Sequence, residues 1–253
     1  MIIVEPILIQ PLSKLLRRNL YISIPDEIKQ HPEKTYPVIY MFDGHNVFFD
    51  EHATYGKSWG MKDYLERTNT PVIVVAVECN HVGTGRLDEY SPYRARSEFG
   101  ELKGHGGIYM DWLASELKPY IDSHYPTIPD RHHTFIAGSS MGGLMSLFAA
   151  VEYSDVFSKA ACLSPSVWLG TKKLLRMIQD SHVMPDTSVY MDIGSEELKK
   201  NPMLLHNLLD VEYELQHKKI PVRFRIIEDG THTEESWEKQ LPVFMDYLLK
   251  DVL

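Results

Sequence analysis

The sequence predicts an α/β fold: a mostly parallel central sheet with an antiparallel N-terminal edge and helices on both faces. Three observations lead there. Short apolar runs alternate with longer segments of helical period along most of the chain, the pattern of strands joined by crossover helices. One run, Val72–Val77 (VIVVAV), is apolar at every position, as befits a parallel strand covered on both faces. Two extended segments rich in Ile, Leu and Val, Ile2–Ile9 and Leu15–Ile24, precede the alternation and flank Gln10-Pro11-Leu12-Ser13. They read as an antiparallel pair at a sheet edge.

The remaining predicted strands are Val38–Phe42, Thr134–Ala137, Ala160–Leu163, Val189–Ile193 and Val222–Ile227. Helical period places helices near 57–67, 106–124, 142–153, 200–218 and 234–251. In the last, Trp237, Leu241, Phe244, Met245, Leu248, Leu249 and Val252 fall on one stripe that must face a core. Pro119 and Pro242 lie inside helical patterns. Each should kink or interrupt its helix, since proline lacks the N–H and its ring meets a carbonyl one turn back.

The chain has 253 residues, 43% hydrophobic and 24% charged, an ordinary globular composition. That length suits one large domain or two small ones. No repeat or linker divides it, so residues 1–253 are read as a single domain. With 26 Lys and Arg against 35 Asp and Glu, the formal charge is −9, and an acidic chain repels nucleic acid. Cys79 and Cys162 cannot build a disulfide scaffold, and their apolar neighbours suggest small buried thiols. The opening MIIVEPILIQPLSK has no basic stretch ahead of its apolar part and no cleavage pattern. No apolar run is long enough to span a membrane. A cytoplasmic protein without membrane association is the expectation.

In a parallel sheet, ligands bind beyond the carboxyl ends of the strands, so reactive residues directly after the runs matter most. HTFIA leads into Gly138-Ser139-Ser140-Met141-Gly142-Gly143 and then LMSLFAAVEY. Strand, G-x-S-x-G and helix in that order mark Ser140 as a nucleophile on a sharp turn. The helix start favours a developing anion, and the Met141 N–H would be one oxyanion donor. The bland reading is a Gly/Ser loop capping a helix. In this arrangement the triad runs Ser, acid, His along the chain. His232, in Glu228-Asp229-Gly230-Thr231-His232, is the histidine that follows the last strand, and is assigned as the base. The acid should follow the penultimate strand, where Asp192, Glu196 and Glu197 compete. Glu197 is preferred because its loop would face His232.

At this point the chain resembles the putative-esterase (esterase D) family of α/β-hydrolases. The resemblance rests on TYPVIYMFDGHNVFFDE, TYGKSWGMKDYL, RLDEYSP, LASELKPYIDSHYPT, GSSMGG, LSPSVW and DGTHTEESWEKQLP, spread from about residue 15 to 250. It implies an α/β-hydrolase fold and a serine esterase. It reinforces Ser140 and His232 and places the acid at Glu197, where many relatives carry Asp. It also implies a second oxyanion donor among the backbone N–H groups of Gly44, His45 and Asn46, with His45 and Asn46 the leading pair. Asp43 and Asn46 would hold that loop by side-chain-to-backbone hydrogen bonds.

Together these features point to hydrolysis of short-chain or aryl carboxylic esters through an acyl-enzyme. An acyltransferase using the same residues and a non-catalytic binding protein are the alternatives. The partner is a small-molecule ester, and oligomeric state is not legible. No cofactor is implied. Without HExxH spacing, and with the two cysteines far apart in sequence, no metal site is expected. The loop after VIVVAVE carries Arg86, Arg94 and Arg96, which could attract an anionic or phenolic substrate, and Tyr90, Tyr93 and Phe99, which could stack on an aryl group. Arg86, Tyr90 and Trp168 are the substrate-contact candidates. The plainer reading pairs Arg86 with Glu89 and packs Tyr90 to hold the loop. Residues 164–186 are too few for a large lid, so the site should be open.

Overall fold

β-Branched runs become buried strands, and the segments between them become helices that cover both faces. The computed structural model describes residues 1–97 and 100–253. Its strands are β1 (Ile2–Leu8), β2 (Arg17–Ser23), β3 (Val38–Met41), β4 (Ile73–Val77), β5 (Ala95–Ser97), β6 (Gly100–Leu102), β7 (Thr134–Ser139), β8 (Lys159–Leu163), β9 (Ser188–Gly194) and β10 (Val222–Ile227). Its α-helices are α1 (Met61–Thr68), α2 (Gly85–Glu89), α3 (Gly106–Trp112), α4 (Lys118–His124), α5 (Met141–Glu152), α6 (Thr171–Asp180), α7 (Ser195–Lys200), α8 (Met203–His217), α9 (Glu234–Glu238) and α10 (Leu241–Leu249).

Among the described residues, eight strands form one sheet in the order β1-β2-β4-β3-β7-β8-β9-β10. β1 and β2 pair antiparallel, and β2 meets β4 antiparallel. From β4 to β10 every pairing is parallel. The mostly parallel sheet with an antiparallel N-terminal edge is therefore as read from the sequence. Strands β5 and β6 pair antiparallel as a separate two-stranded sheet, which the sequence pattern does not reveal.

Alternation along each strand feeds two cores. Val38 and Tyr40 of β3 face one and Ile39 and Met41 the other; Ala160 and Cys162 of β8 divide from Ala161 and Leu163 in the same way. This is the period of two expected of a pleated strand buried on both faces. The predicted C-terminal stripe seals the second core: Trp237, Leu241, Phe244, Met245, Leu248 and Leu249 are all buried there. Each such side chain contributes roughly 1.5–3 kcal/mol of burial.

Pro242 interrupts its helix as predicted, whereas Pro119 lies in a helical run that continues without a gap from Gly106 to His124. Pro242 sits in the first turn of α10, after the break at Lys239 and Gln240. Pro119 opens α4 after a π-helical turn, Leu113–Leu117, whose wider winding relieves the clash with the carbonyl one turn back. Three helices are additional, the first being α2 in the stretch read as an overhanging loop. α6 lies in the segment read only as too short for a lid. The predicted 200–218 helix is preceded by α7, with Asn201 and Pro202 between α7 and α8.

Beside the antiparallel edge, the Arg18 Nη1 donates to Glu89 Oε1 at 2.7 Å, with both side chains almost fully buried. Glu89 therefore pairs with Arg18 and not with Arg86. Its Oε1 also accepts the Asn80 N–H at 2.8 Å. A buried pair of this kind costs most when only one partner is removed. Glu89→Ala should destabilise the protein by roughly 3–5 kcal/mol in urea unfolding. Removing both charges with Arg18→Met and Glu89→Met should recover most of that loss; a double variant as unstable as the single one would refute the account.

Candidate active site

Because β3, β7, β9 and β10 run parallel, the loops that follow them leave the same edge of the sheet. The loop after β7 is the tightest. Ser140 lies between β7 and α5 at φ 57° and ψ −120°, a conformation a non-glycine residue holds only when its surroundings enforce it. Its N–H donates to the Leu163 carbonyl at 2.9 Å, and its carbonyl accepts N–H bonds from Leu144 and Ser166, each at 3.0 Å. The turn also needs two glycines in contact. A Cβ on Gly138 would stand 2.7 Å from the Gly142 carbonyl, and one on Gly142 would stand 2.9 Å from the Phe42 Cβ. Ser139 is buried, whereas Ser140 is half-exposed. The Ser140 hydroxyl lies 3.4 Å from Ser166 Oγ; among the described residues it shares no hydrogen bond with His232.

After β10, His232 presents a half-exposed ring whose Nδ1 lies 2.6 Å from Glu197 Oε2. Trp237 packs edge-on against that ring, with centroids 5.1 Å apart. Glu197, in the first turn of α7, is buried and fully engaged. Its Oε1 accepts the Ser164 hydroxyl at 2.7 Å and the Gly194 N–H at 3.1 Å. Burial alone would raise its pKa, but His232, Ser164 and the Gly194 N–H outweigh it and hold the carboxyl below the usual range. The β9 and β10 loops are clamped together. Glu196 N–H donates to the Gly230 carbonyl at 3.0 Å and Asp229 N–H to Ser195 Oγ at 2.9 Å, and a Cβ on Gly194 would collide with the Gly230 carbonyl.

The other two carboxylates lie elsewhere. Glu196 faces outward and pairs with Lys199. Asp192 is buried in the sheet, accepting the Ser164 N–H at 3.2 Å and the Tyr190 hydroxyl at 2.8 Å. Burial pushes its pKa up to about 7, with the Glu197 charge adding to the effect.

The loop after β3 faces Ser140. Asp43 holds φ 55° and starts a 3₁₀ turn over Gly44–Asn46. In that turn the Asn46 N–H is committed to the Asp43 carbonyl at 2.8 Å. The expectation that Asn46 offers a free backbone donor therefore gives way: among the described residues the N–H groups of His45 and Met141 are uncommitted and that of Asn46 is not. Asn46 instead braces the loop, its Oδ1 accepting the Thr54 N–H at 2.9 Å.

The substrate-contact candidates fall into different places. Arg86 forks onto Asp43, Nε to Oδ1 and Nη2 to Oδ2, both at 2.7 Å, so its guanidinium touches the cleft but is already neutralised. Tyr90 is fully buried behind the loop, and its hydroxyl accepts the Asp43 N–H at 3.1 Å. Trp168 is exposed beside a small apolar notch on another flank of His232. Tyr93 donates its hydroxyl to the Leu169 carbonyl at 2.7 Å. Arg94 and Arg96 do not line the main cleft, and Phe99 lies outside the described residues. That cleft measures about 690 Å³ and brings Ser140 and His232 together with His45, Asn46, Glu234 and Trp237. Ser164 escaped the sequence reading, although it lies in the quoted LSPSVW block; its φ of 42° and its bond to Glu197 mark it as a positioning residue. Trp237, on the core stripe and in the DGTHTEESWEKQLP block, donates its Nε1–H to Ser164 Oγ at 3.3 Å.

Residues 16–247 match the family model described as "Putative esterase". The uncharacterized protein YbbA of Bacillus subtilis (strain 168) is 26% identical over 178 residues, 69% of this chain and 67% of that protein. Among solved structures, a ferulic acid esterase superposes with a TM-score of 0.73 at 19% identity, covering 99% of this chain and 97% of its own. An IroE-like serine hydrolase from Shewanella oneidensis reaches 0.77 at 20% identity, covering 99% and 81%. At these identities the structural likeness shows the fold, that of the α/β-hydrolase-type esterases.

Asp192 yields a test of electrostatics. Its folded pKa, about 7, lies above an unfolded value of about 3.9. Its contribution to stability is therefore complete below about pH 4 and is lost as pH rises through about 7. Asp192→Asn keeps a partner for both Ser164 and Tyr190. The stability difference between variant and parent, from urea midpoints, should move in the variant's favour between about pH 4 and about pH 7. A difference independent of pH in that window would refute the assignment.

Proposed function

The chain belongs to the putative esterase family and is a carboxylic ester hydrolase, and we propose that it works through an acyl-enzyme on Ser140. The observation that carries this reading is the sharing of one cleft by a serine held at φ 57° and a histidine whose Nδ1 is bonded to a buried glutamate. Residues 1–253 act as one domain in this reading, since strands from both ends of the chain share the sheet.

Glu197 takes the His232 Nδ1–H and so leaves Nε2 as the proton acceptor. His232 removes the Ser140 hydroxyl proton as the oxygen attacks the ester carbonyl. The bond between Ser140 and His232 forms as substrate seats, as such bonds commonly tighten in the Michaelis complex. Charge develops on the carbonyl oxygen where the N–H groups of Met141 and His45 converge, aided by the α5 N-terminus. Collapse expels the alcohol, which takes the proton from His232. Water, deprotonated by His232, then attacks the acyl-enzyme and restores the serine. The buried Glu197 carboxylate stabilises the imidazolium formed in each half-reaction.

Short-chain or aryl esters suit this cleft. Its volume is that of a small-molecule site, and residues 164–186 place α6 away from its mouth, so a long acyl chain would lie in water. An aryl acyl group is also what the name of the similar ferulic acid esterase points to. With Arg86 spent on Asp43 and Glu234 and Glu235 on the wall, neutral esters fit better than anionic ones.

On p-nitrophenyl acetate, Ser140→Ala should lose several orders of magnitude in kcat/KM. Glu197→Gln should lose roughly 10⁴-fold in kcat by presenting the wrong tautomer, whereas Asp192→Asn should stay near the parent rate. A Ser140→Ala protein with parental activity would overturn the mechanism, and the reverse ranking of the two acid variants would reassign the acid. In an acyl-chain series, kcat/KM for the acetate and for methyl ferulate should exceed that for the palmitate by at least roughly tenfold. A preference for the palmitate would overturn the open-cleft reading.

A further inference from the structure

The cleft carries a second cluster whose side chains the proposed ester hydrolysis does not use. His45, Cys79 and His81 each offer a donor atom, and the three atoms all lie within 4.8 Å of one another. All three residues line the same cleft as Ser140. The sequence leads one to expect no metal site, because the histidines show no HExxH spacing and the two cysteines lie far apart. The fold brings them together: His45 stands on the loop after β3, and Cys79 and His81 follow the neighbouring parallel strand β4.

Each ring is held from outside by one nitrogen. His45 Nε2 meets Thr54 Oγ1 at 3.0 Å, and His81 Nε2 meets Glu78 Oε1 at 3.0 Å. A bond of this sort fixes ring orientation and leaves the other nitrogen for a metal. The decisive feature is His45 Nδ1. His45 is only 4% exposed, and Nδ1 is buried without a hydrogen-bond partner. A buried ring nitrogen left orphaned in a polar cleft calls for a ligand. Ring packing alone leaves it unsatisfied, since the two imidazoles merely meet edge-to-face with centroids 4.6 Å apart.

We propose that His45, Cys79 and His81 form a three-ligand site for a borderline-soft cation, Zn²⁺, in the wall of the cleft, with the fourth position open toward the cleft. The donor set makes the choice. One thiolate and two imidazoles suit zinc, while calcium and magnesium require oxygen ligands. Asp43, the nearby carboxylate, is bound bidentately by Arg86 and stays outside the set. Tetrahedral zinc, with bonds of about 2.0–2.1 Å to nitrogen and about 2.3 Å to sulfur, sets ligand–ligand edges of roughly 3.3–3.6 Å. Exposed His81 can close the remaining distance by side-chain movement. Binding replaces the thiol proton: the S–H bond breaks, a sulfur–zinc bond forms, and the proton leaves to solvent.

The test uses the full chain, stripped with a chelator and titrated with Zn²⁺ by calorimetry, and with Co²⁺ as a spectroscopic probe. One ion per chain should bind with micromolar or tighter affinity. The cobalt form should show a sulfur-to-metal charge-transfer band and the strong visible bands of four-coordinate cobalt. Cys79→Ser should abolish the charge-transfer band. His81→Ala, a change at an exposed residue, should weaken zinc binding by roughly 100-fold, with circular dichroism confirming an intact fold. Ser140→Ala should bind zinc as the parent does, so the site stands or falls independently of the acyl-enzyme. Absence of binding at micromolar zinc, a charge-transfer band that survives Cys79→Ser, or parental affinity in folded His81→Ala would each overturn the proposal.

Discussion

A carboxylate buried at the carboxyl edge of a sheet must be met by donors, and the arrangement of the cleft follows from how Glu197 is met. Its three partners come from three consecutive strand ends. Ser164 follows β8, Gly194 closes β9, and His232 follows β10. Removing any one leaves charge under-compensated in a low-dielectric setting, where such gaps are expensive. The same bonds fix the ring of His232, so satisfying the buried charge and orienting the proposed base are one requirement. Ser164 extends the chain of dependence outward: held at φ 42°, its hydroxyl donates a hydrogen bond to Glu197 while accepting one from the Trp237 indole N–H. Trp237 in turn packs in the second core with Leu241 and Phe244. The C-terminal helices thereby anchor a site whose wall α9 itself helps to form.

The opposite wall is governed by a second buried charge. Asp43 adopts a left-handed backbone that bends the chain into the 3₁₀ turn carrying His45. Its carboxylate would be costly there alone. Burial pushes its pKa up, but the Arg86 fork outweighs this and leaves it below the usual carboxylate range. The guanidinium also lies over the Tyr90 ring, 5.4 Å from its centroid. Arg86 and Tyr90 are thus spent on shaping the turn, and any role they have in the reaction passes through the position of the His45 N–H.

Period and order made most of this legible in the sequence. The alternation of strands and helices, the antiparallel edge and the apolar stripe from Trp237 all follow from spacing alone, because burial on one face or two imposes a period. That Ser140 and His232 share one cleft was legible for a related reason: parallel strands deliver the residues that follow them to one edge, so chain order stands in for geometry. What stayed hidden depends on side-chain direction. Nothing in the letters distinguishes an Arg86 free for substrate from one locked to Asp43, since the two residues lie 43 positions apart. The commitment of the Asn46 N–H depends on the exact turn, and the meeting of His45 with Cys79 and His81 depends on β3 and β4 being neighbours.

The choice among the acids shows how environment outranks residue type. Asp192 and Glu197 are both buried, and both reach Ser164, one through its N–H and the other through its hydroxyl. Asp192 has only neutral donors, Tyr190 and a backbone N–H, so burial prevails and pushes its pKa up to about 7. Glu197 has an imidazole as well, and its pKa is drawn down. Two carboxylates this close push each other toward different protonation states, and the Glu197 charge adds to the rise at Asp192. The extra methylene of glutamate matters here. Asp192 sits in the strand, where the pleat directs its side chain into the sheet, whereas Glu197 reaches back from the first turn of α7 to cap its own helix at Gly194 and still touch His232. A shorter acid in that turn would have to give up one of those contacts, so the length of the side chain and the position of the helix are matched to the same buried charge.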